Sequence, residues 1–565
     1  MRKYKDKEYV SYLLRRTYRD GGKVRHETLG NISALPEAAI AVLRESLAGK
    51  ALVVAGEGFD VERSLPHGHV AAVWAMARKL GLAKLLGPAC PERDLALALV
   101  VARVVRPASK LATTRWWATT TLAADFGVAG ASTDDAYAAM DWLGERQGAV
   151  EAALARRHLS PGGMVLYDLS SSWVEGRCCP LAARGYSRDG KAGKEQIEYG
   201  LTCDREGRPI AVEVFAGNTA DPTAFVSAAA GVRERFGLSD VVMVGDRGMI
   251  TTARIAALRE VGGLGWITAL RAPAIAELAE AGTLQMSLFD QAHLAEITHP
   301  KYPGERLVAC RNPALATERA RKRHELLAAT EALLEPVAAA VTAGRLAGAD
   351  KIGVRVGKVV NRHKMAKHFT LTITDTSFSF TRKTDQIAAE AALDGIYVIR
   401  ASAEHTAALG VPDIVEAYKD LAHVEADFRS LKTIDLDLRP IRHWTEPRVR
   451  AHVFICLLAS YLVWHLRRAW APLCFTDEHP PQRHDPVAPA RRSTTALAKA
   501  SRQRTPDGAT IHSLATLFDE LATLTRNTIV FAGDIRVDQL TVATPTHRRA
   551  FELIGAPIPT QLNPK

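Results

Sequence analysis

The chain has 565 residues, 47% hydrophobic and 24% charged, which is a globular composition and enough for about three or four domains at roughly 150 residues each. Its 73 basic and 62 acidic residues leave a formal charge of +11 and a pI near 9.3, a balance that favours a polyanion such as nucleic acid over an anionic membrane. Seven scattered cysteines without a CxxC pair argue against a disulfide framework and a structural zinc site, so any metal is expected on oxygen ligands.

The opening stretch MRKYKDKEYVSYLLRRTYRDGG carries no apolar segment with a cleavage site, so the chain is expected in the cytoplasm. It alternates around Asp20-Gly21-Gly22, which predicts a β-hairpin. Nine Lys and Arg against four acids in the first 30 residues suit either a solvated hairpin or a DNA-contacting arm. From His69 to His158 the apolar period turns helical, with Thr133 and Asp134 as expected N-caps. Trp116 and Trp117 fall inside this block, where packing is favoured over insertion between bases.

From Gly162 the pattern becomes strand-like. MVLYDLSS, the pair IEYGLTCDREGRPIAVEVFAGN, then SDVVMVGDRGM with a helix from Thr251, then WITALR, predict an α/β sheet of mixed pairing. After Arg271 an irregular stretch leads to a charged helix, ATERARKRHELLAATEALLEPVAAAV, and then to segments read as strands, IGVRVGKVV and HFTLTITDTSFSFT, together an inserted α+β module. A strand GIYVIRA follows, then helices over about Pro412–Lys432 and Glu446–Trp470. The apolar stretch Ala451–Leu466, interrupted by His452 and His465, is too short for a membrane span and is read as a buried helix. Ala471–Arg492 reads as a surface linker.

Three acids stand out. Asp168 lies inside the apolar strand VLYDLSS, on one face with Leu166 and Ser170, a costly place for a carboxylate without a partner. Asp246 ends the run VVMVG at the C-terminal mouth of a strand, where open α/β sheets place ligands. Either acid alone reads as a turn former or cap; the two together suit shared metal coordination. Glu425 is flanked at seven-residue steps by Tyr418 and Lys432, which return to within about 20° of one direction on a helix. Asp427 points about 160° away from that edge and is excluded.

With these motifs the chain resembles a DDE transposase of bacterial insertion sequences, of the cut-and-paste branch whose last acid lies in a Tyr-x2-Arg-x3-Glu-x6-Lys helix. YDLSSS is similar to the first-acid block, GDRGM to the second, and GNTAD (Gly217 to Asp221) to the turn after the hairpin strands. Asp168 and Asp246 are 78 residues apart, and Asp246 and Glu425 are 179 apart, the longer gap matching the family's β-rich insertion. One position departs from the pattern: Leu421 stands where the family has Arg, and Arg429 or Lys419 could fill that phosphate clamp.

The resemblance implies an RNase H-like α/β catalytic core interrupted by an α+β insertion, with an N-terminal β-hairpin and helical DNA-binding modules. The expected divisions are 1–68 basic hairpin module, 69–160 helical DNA-binding module, 161–270 and 394–470 the two parts of the core, 271–393 insertion, 471–492 linker and 493–565 a small C-terminal unit. It implies that Asp168, Asp246 and Glu425 are both catalytic and metal-binding, holding two Mg²⁺ ions with Mn²⁺ as a substitute. Tyr418, Lys432, Arg429, Arg188, Lys191 and Lys194 are the expected DNA contacts. The partners implied are the element's terminal inverted repeats and target DNA, bound by a homodimer at the bacterial nucleoid, with no membrane. The function implied is metal-dependent strand cleavage and strand transfer of a mobile element. The alternatives are a structure-specific nuclease on the same core and a non-catalytic DNA-binding protein derived from a transposase.

Competing motifs are weaker. Gly185 to Lys191 fits GxxxxGK, but Ala192 stands where a P-loop needs Ser or Thr, and no convincing strand precedes it. Arg184, Arg188, Lys191 and Lys194 are better read as a basic loop near DNA. Arg429, Lys432, Arg439, Arg442, Arg448 and Arg450 continue that charge, as phosphate contacts or as a solvated face. His423, His443 and His452 are read as structural residues.

Overall fold

Val165, Leu166 and Tyr167 are fully buried on the strand Gly163–Trp173 (β1), and the main sheet is built outwards from it. The computed structural model describes residues 2–4, 7–50, 58–505, 508–531 and 534–563. The chain forms two units, residues 1–65 with 525–542, and residues 66–524 with 543–565.

In the larger unit, β1 pairs antiparallel with Gln196–Asp204 (β2), and β2 with Pro209–Ala216 (β3). On its other side β1 runs parallel to Val241–Val244 (β4), which runs parallel to Leu264–Ala269 (β5). Three more strands extend the sheet, Leu294–Ile297 (β6), Glu305–Arg311 (β7) and Ile396–Ser402 (β8), giving the order β6-β7-β8-β5-β4-β1-β2-β3. The stretch after Arg271, expected to be irregular, thus supplies a helix, Ala272–Glu280, and two sheet strands. Every residue of β4 and β5 is buried, which accounts for their near-continuous apolar runs where a one-sided sheet would alternate. Strand β2 is buried throughout as well, although it carries Gln196, Glu198, Thr202 and Asp204. Gly200 on β2 is required by packing: a Cβ there would lie 1.9 Å from the Tyr167 hydroxyl.

The helix Asp221–Glu234 (α1) covers one sheet face, where the Tyr167 hydroxyl donates to the Ala224 carbonyl. The predicted charged helix is Pro313–Thr342 (α2). IGVRVGKVV is not a strand: it lies in the helix Ala349–Arg362 (α3). Its β-branched residues at every second position imitate a strand, yet Ile352, Val356 and Val360 are the buried ones, and four-residue steps share a helix face. HFTLTITDTSFSFT does form a hairpin, Phe369–Ile373 with Phe378–Arg382.

The helix expected over Pro412–Lys432 is broken. Val411–Lys419 (α4) ends at Asp420, Leu421–Arg429 (α5) follows, and Ser430–Ile434 makes a wider π turn. Glu446–Ala469 (α6) has 24 residues and is long and apolar enough to cross a membrane. Its apolar window is mostly buried against the helices Gly68–Lys79, Pro91–Val105 and Thr133–Glu145 and against β3, so it is a core helix. In this helical block Trp117 is fully buried. The N-cap of Thr133–Glu145 is Ser132, in a capping box with Asp135, while Thr133 and Asp134 lie in the first turn.

In the smaller unit, Leu13–Asp20 and Lys23–Asn31 form the hairpin read around Asp20-Gly21-Gly22. Phe59–Pro66 pairs with Thr525–Phe531, which pairs with Ile535–Leu540. The C-terminal segment therefore contributes to both units, a long-range pairing that no local pattern encodes.

Candidate active site

Leu166 on β1 lies opposite Val244 on β4, and Asp168 and Asp246 each follow two residues later. The two acids therefore leave neighbouring parallel strands at the same height. Asp168 is half-buried, and its Oδ1 accepts from the Leu169 amide at 2.8 Å. Burial first, and then the charges of Asp246 and Glu425, push its carboxyl up to about 7, against the Leu169 hydrogen bond and Arg188, which act the other way. Asp246 is exposed at the strand mouth, where the Gly248 amide donates to its Oδ2 at 3.3 Å.

Helix α5 packs on β1, with Val424 and Phe428 buried and Glu425 exposed. Asp427, two residues on, is half-buried, and the Cys203 thiol donates to its Oδ2 at 3.7 Å. Burial pushes this carboxyl up to about 8. On α4, the phenol of Tyr418 is turned towards Asp246, and burial followed by the Asp246 charge raises its pKa. The break at Asp420, which pairs with Arg205 at 3.0 Å, and the π turn at Lys432 mean that the seven-residue steps do not run along one regular helix. Tyr418, Glu425 and Lys432 come from three consecutive segments, of which Tyr418 and Glu425 face the acids.

Lys432 is buried, and its Nζ donates to Asp189 Oδ1 at 2.8 Å. Arg439 binds the same oxygen, and Asp189 itself is almost fully enclosed. Burial lowers the Lys432 pKa, with Asp189 opposing. Arg188 holds Asp221 at 2.5 Å and Glu198 at 3.3 Å, and burial pushes Glu198 up to about 7. Lys191 lies 5.4 Å from the Trp173 ring centroid and Arg439 5.1 Å from it. Lys194 and Arg429 are exposed. Among the described residues neither has an acid partner.

The sequence reading did not single out Asp189 or Trp173. Asp189 had a signal, being the one acid in the loop Arg184–Lys194; Trp173 had none. Of the two stand-ins for the missing clamp Arg, Lys419 is committed elsewhere: its Nζ donates to the carbonyls of Pro486, Val487 and Ala488. Leu421 itself is half-buried.

The donor set around Asp168 is carboxylate oxygen, the hard ligand type that Mg²⁺ and similar cations select. Mutual repulsion among these acids, felt in the raised Asp168 carboxyl, is what a divalent cation relieves. Among the described residues no three His, Cys, Asp or Glu side chains close on one point, so sharing an ion requires side-chain rotation, for which exposed Glu425 and Asp246 have room.

Residues 172–462, more than half of the chain, match the family described as transposase DDE domain. The match takes in Asp246 and Glu425 and begins four residues after Asp168. Residues 1–55 match the IS1634 family transposase, N-terminal domain. None of the curated proteins matches. Among solved structures, the piggyBac transposase in its synaptic complex with hairpin DNA, determined by cryo-EM, is similar at 10% identity and a TM-score of 0.34, over 80% of this chain and 76% of that one.

Proposed function

This chain belongs to the DDE transposases, and on that premise we propose that Asp168, Asp246 and Glu425 are its acid triad, acting on the terminal inverted repeats of its own insertion sequence. It is a DNA-binding enzyme of a class that depends on a divalent metal. The observation that carries the reading is the level placement of Asp168 and Asp246 two residues past the Leu166–Val244 pair, with the Glu425 charge reaching Asp168.

We read β1 to β5 as an RNase H-like core, three antiparallel strands followed by two parallel ones, with residues 271–393 inserted before the helix that carries Glu425. Residues 1–68 and 69–160 are read as DNA-binding modules and 471–492 as a linker, whereas 493–565 is not a unit of its own, since 525–542 belong with the N-terminal segment and the rest with the larger unit. Mg²⁺ is the proposed cation; two such ions, when bound, stabilise charge on the attacking and leaving oxygens of a phosphodiester exchange.

The chain's own groups have definable tasks. Tyr418 fixes Asp246 through its phenol. Asp189 gathers Lys432 and Arg439, orienting the loop that presents Lys191 and Lys194 to the DNA backbone. Arg429, one turn beyond Glu425 and exposed, takes the phosphate contact that Leu421 cannot make. Arg188, tied to Asp221 and Glu198, braces the same loop while leaving part of its guanidinium to DNA. Because two element ends must be joined, a homodimer on DNA is the proposed assembly.

The test is incubation of the purified protein with Mg²⁺ and a labelled duplex carrying the element's inverted repeat, beside a scrambled duplex. Repeat-specific nicking and joining, lost in Asp246→Asn, is the expected result. Cleavage of branched DNA without preference for the repeat would instead make the protein a structure-specific nuclease.

A further inference from the structure

Helix α3 carries a charge pattern that the acid site does not use. At about 100° per residue, Lys351, Arg355, Lys358 and Arg362 fall within an arc of about 60°, and all four are exposed. Ile352, Val356 and Val360 are buried against α2 on another side of the helix, which fixes the direction in which the basic stripe faces. Among the described residues none of the four has an ion-pair partner. The one acid on the helix, Asp350, lies about 100° round from Lys351.

Arg345, also exposed, joins Arg355, Lys358 and Arg362 around a groove of about 570 Å³ lined also by Leu333 and Val337. Like charges gathered on one face repel one another, and a counter-charge laid along them relieves that repulsion. From Lys351 to Arg362 the stripe runs about 17 Å at 1.5 Å per residue, comparable to roughly five base steps of duplex at 3.4 Å each.

We propose that this face of α3 is a further DNA-binding surface, apart from those assigned above, which grips the phosphate backbone of a duplex without reading its sequence. The occupant follows from charge complementarity: a regular row of cations with no acid partner matches a regular row of phosphates. The proposal goes beyond the acid-site reading and is tested by binding alone, so loss of catalysis and loss of this surface are separable.

The experiment measures binding of the full-length protein to a fluorescent duplex of scrambled sequence, in EDTA, across a range of salt. Arg355→Gln/Lys358→Gln is compared with wild type and with the charge-preserving Arg355→Lys/Lys358→Arg. The expected result is weaker binding at low salt and a slope of log K against log salt shallower by about 1.8, or about 0.9 per lost contact, with the charge-preserving variant unchanged. Circular dichroism melts show whether the helix survives, and these side chains are solvent-facing. If the neutralised variant has the wild-type slope and melts normally, the surface does not bind DNA. A change in molar mass by light scattering without a change in slope would also overturn the proposal, assigning the face to contact between copies of the chain.

Discussion

Asp168 on β1 and Asp246 just past the end of the parallel strand β4 each lie two residues beyond the Leu166–Val244 pair. That relationship makes the two carboxylates a pair although 78 residues of chain separate them. Their mutual repulsion, added to burial, holds the Asp168 carboxyl near 7. Arrangements that raise the energy of the fold in this way are typical of sites kept for chemistry.

Asp168→Asn and Glu425→Gln should each lower end cleavage by about three orders of magnitude, because several kcal/mol of charge stabilisation are lost with the metal ligand. DNA affinity should hold. In EDTA, Asp168→Asn should also melt higher than wild type, since a neutral amide removes the repulsion from Asp246 and Glu425. Gel-shift, cleavage and calorimetric measurements on the same preparations check all three statements.

Tyr418→Phe keeps the ring and deletes the hydroxyl turned towards Asp246, which on the proposed reading donates to that carboxylate. A single hydrogen bond to a charged group has a net worth near 1.5 kcal/mol, so kcat for nicking should fall about tenfold with little change in KM. An equal rise in KM would instead mark Tyr418 as a simple DNA contact.

Asp189→Ala leaves Lys432 and Arg439 without their common acceptor in a nearly closed setting. Removing one partner of such a buried set costs about 3 kcal/mol or more, and the thermal midpoint should drop accordingly. Lys432→Met should cost less, because Arg439 still satisfies Asp189. Melting curves of the two variants decide between this anchoring role and a purely DNA-facing Lys432.

Lys110 is fully buried, with His452 Nδ1 at 3.5 Å, and burial followed by repulsion from Arg103 lowers its pKa from 10.5 to about 7. Between these two values the unfolded chain binds the extra proton, so this residue makes stability rise with pH from about 7 to about 10.5, by at most about 1.4 kcal/mol per pH unit. Lys110→Met should remove that rise and stabilise the protein most at pH 7 and below. Thermal melts across that pH range, wild type beside variant, measure it.

Six of the eight sheet strands were legible from local apolar runs, and so were the positions of Asp168 within a strand and Asp246 past a strand end. Leu294–Ile297 and Glu305–Arg311 instead read as irregular, because the first is short and both pair only with each other and with distant Ile396–Ser402. Three further features were not legible. The period-two valines of IGVRVGKVV imitate a strand, and only packing of Ile352, Val356 and Val360 against α2 decides for helix. The break at Asp420, whose carboxylate pairs with Arg205 from 215 residues away, is marked by no Gly or Pro in Lys419-Asp420-Leu421. The buried anchor Asp189 depends on Lys432 and Arg439, which the chain brings to it from 243 and 250 residues on. Helical spacing placed Asp427 away from the reactive edge, and the structure turns it towards Cys203.

The most direct test of the acid centre replaces one carboxylate by a thiolate. Mg²⁺ selects oxygen ligands, whereas the borderline Mn²⁺ accepts sulfur more readily. Asp246→Cys, assayed for nicking of the inverted-repeat end, should be inactive in Mg²⁺ and regain activity in Mn²⁺, while Asp246→Ala stays inactive in both. Equal activity of Asp246→Cys in the two metals, or of Asp246→Ala and wild type, would contradict a metal-binding role for Asp246 and with it the acid centre described above.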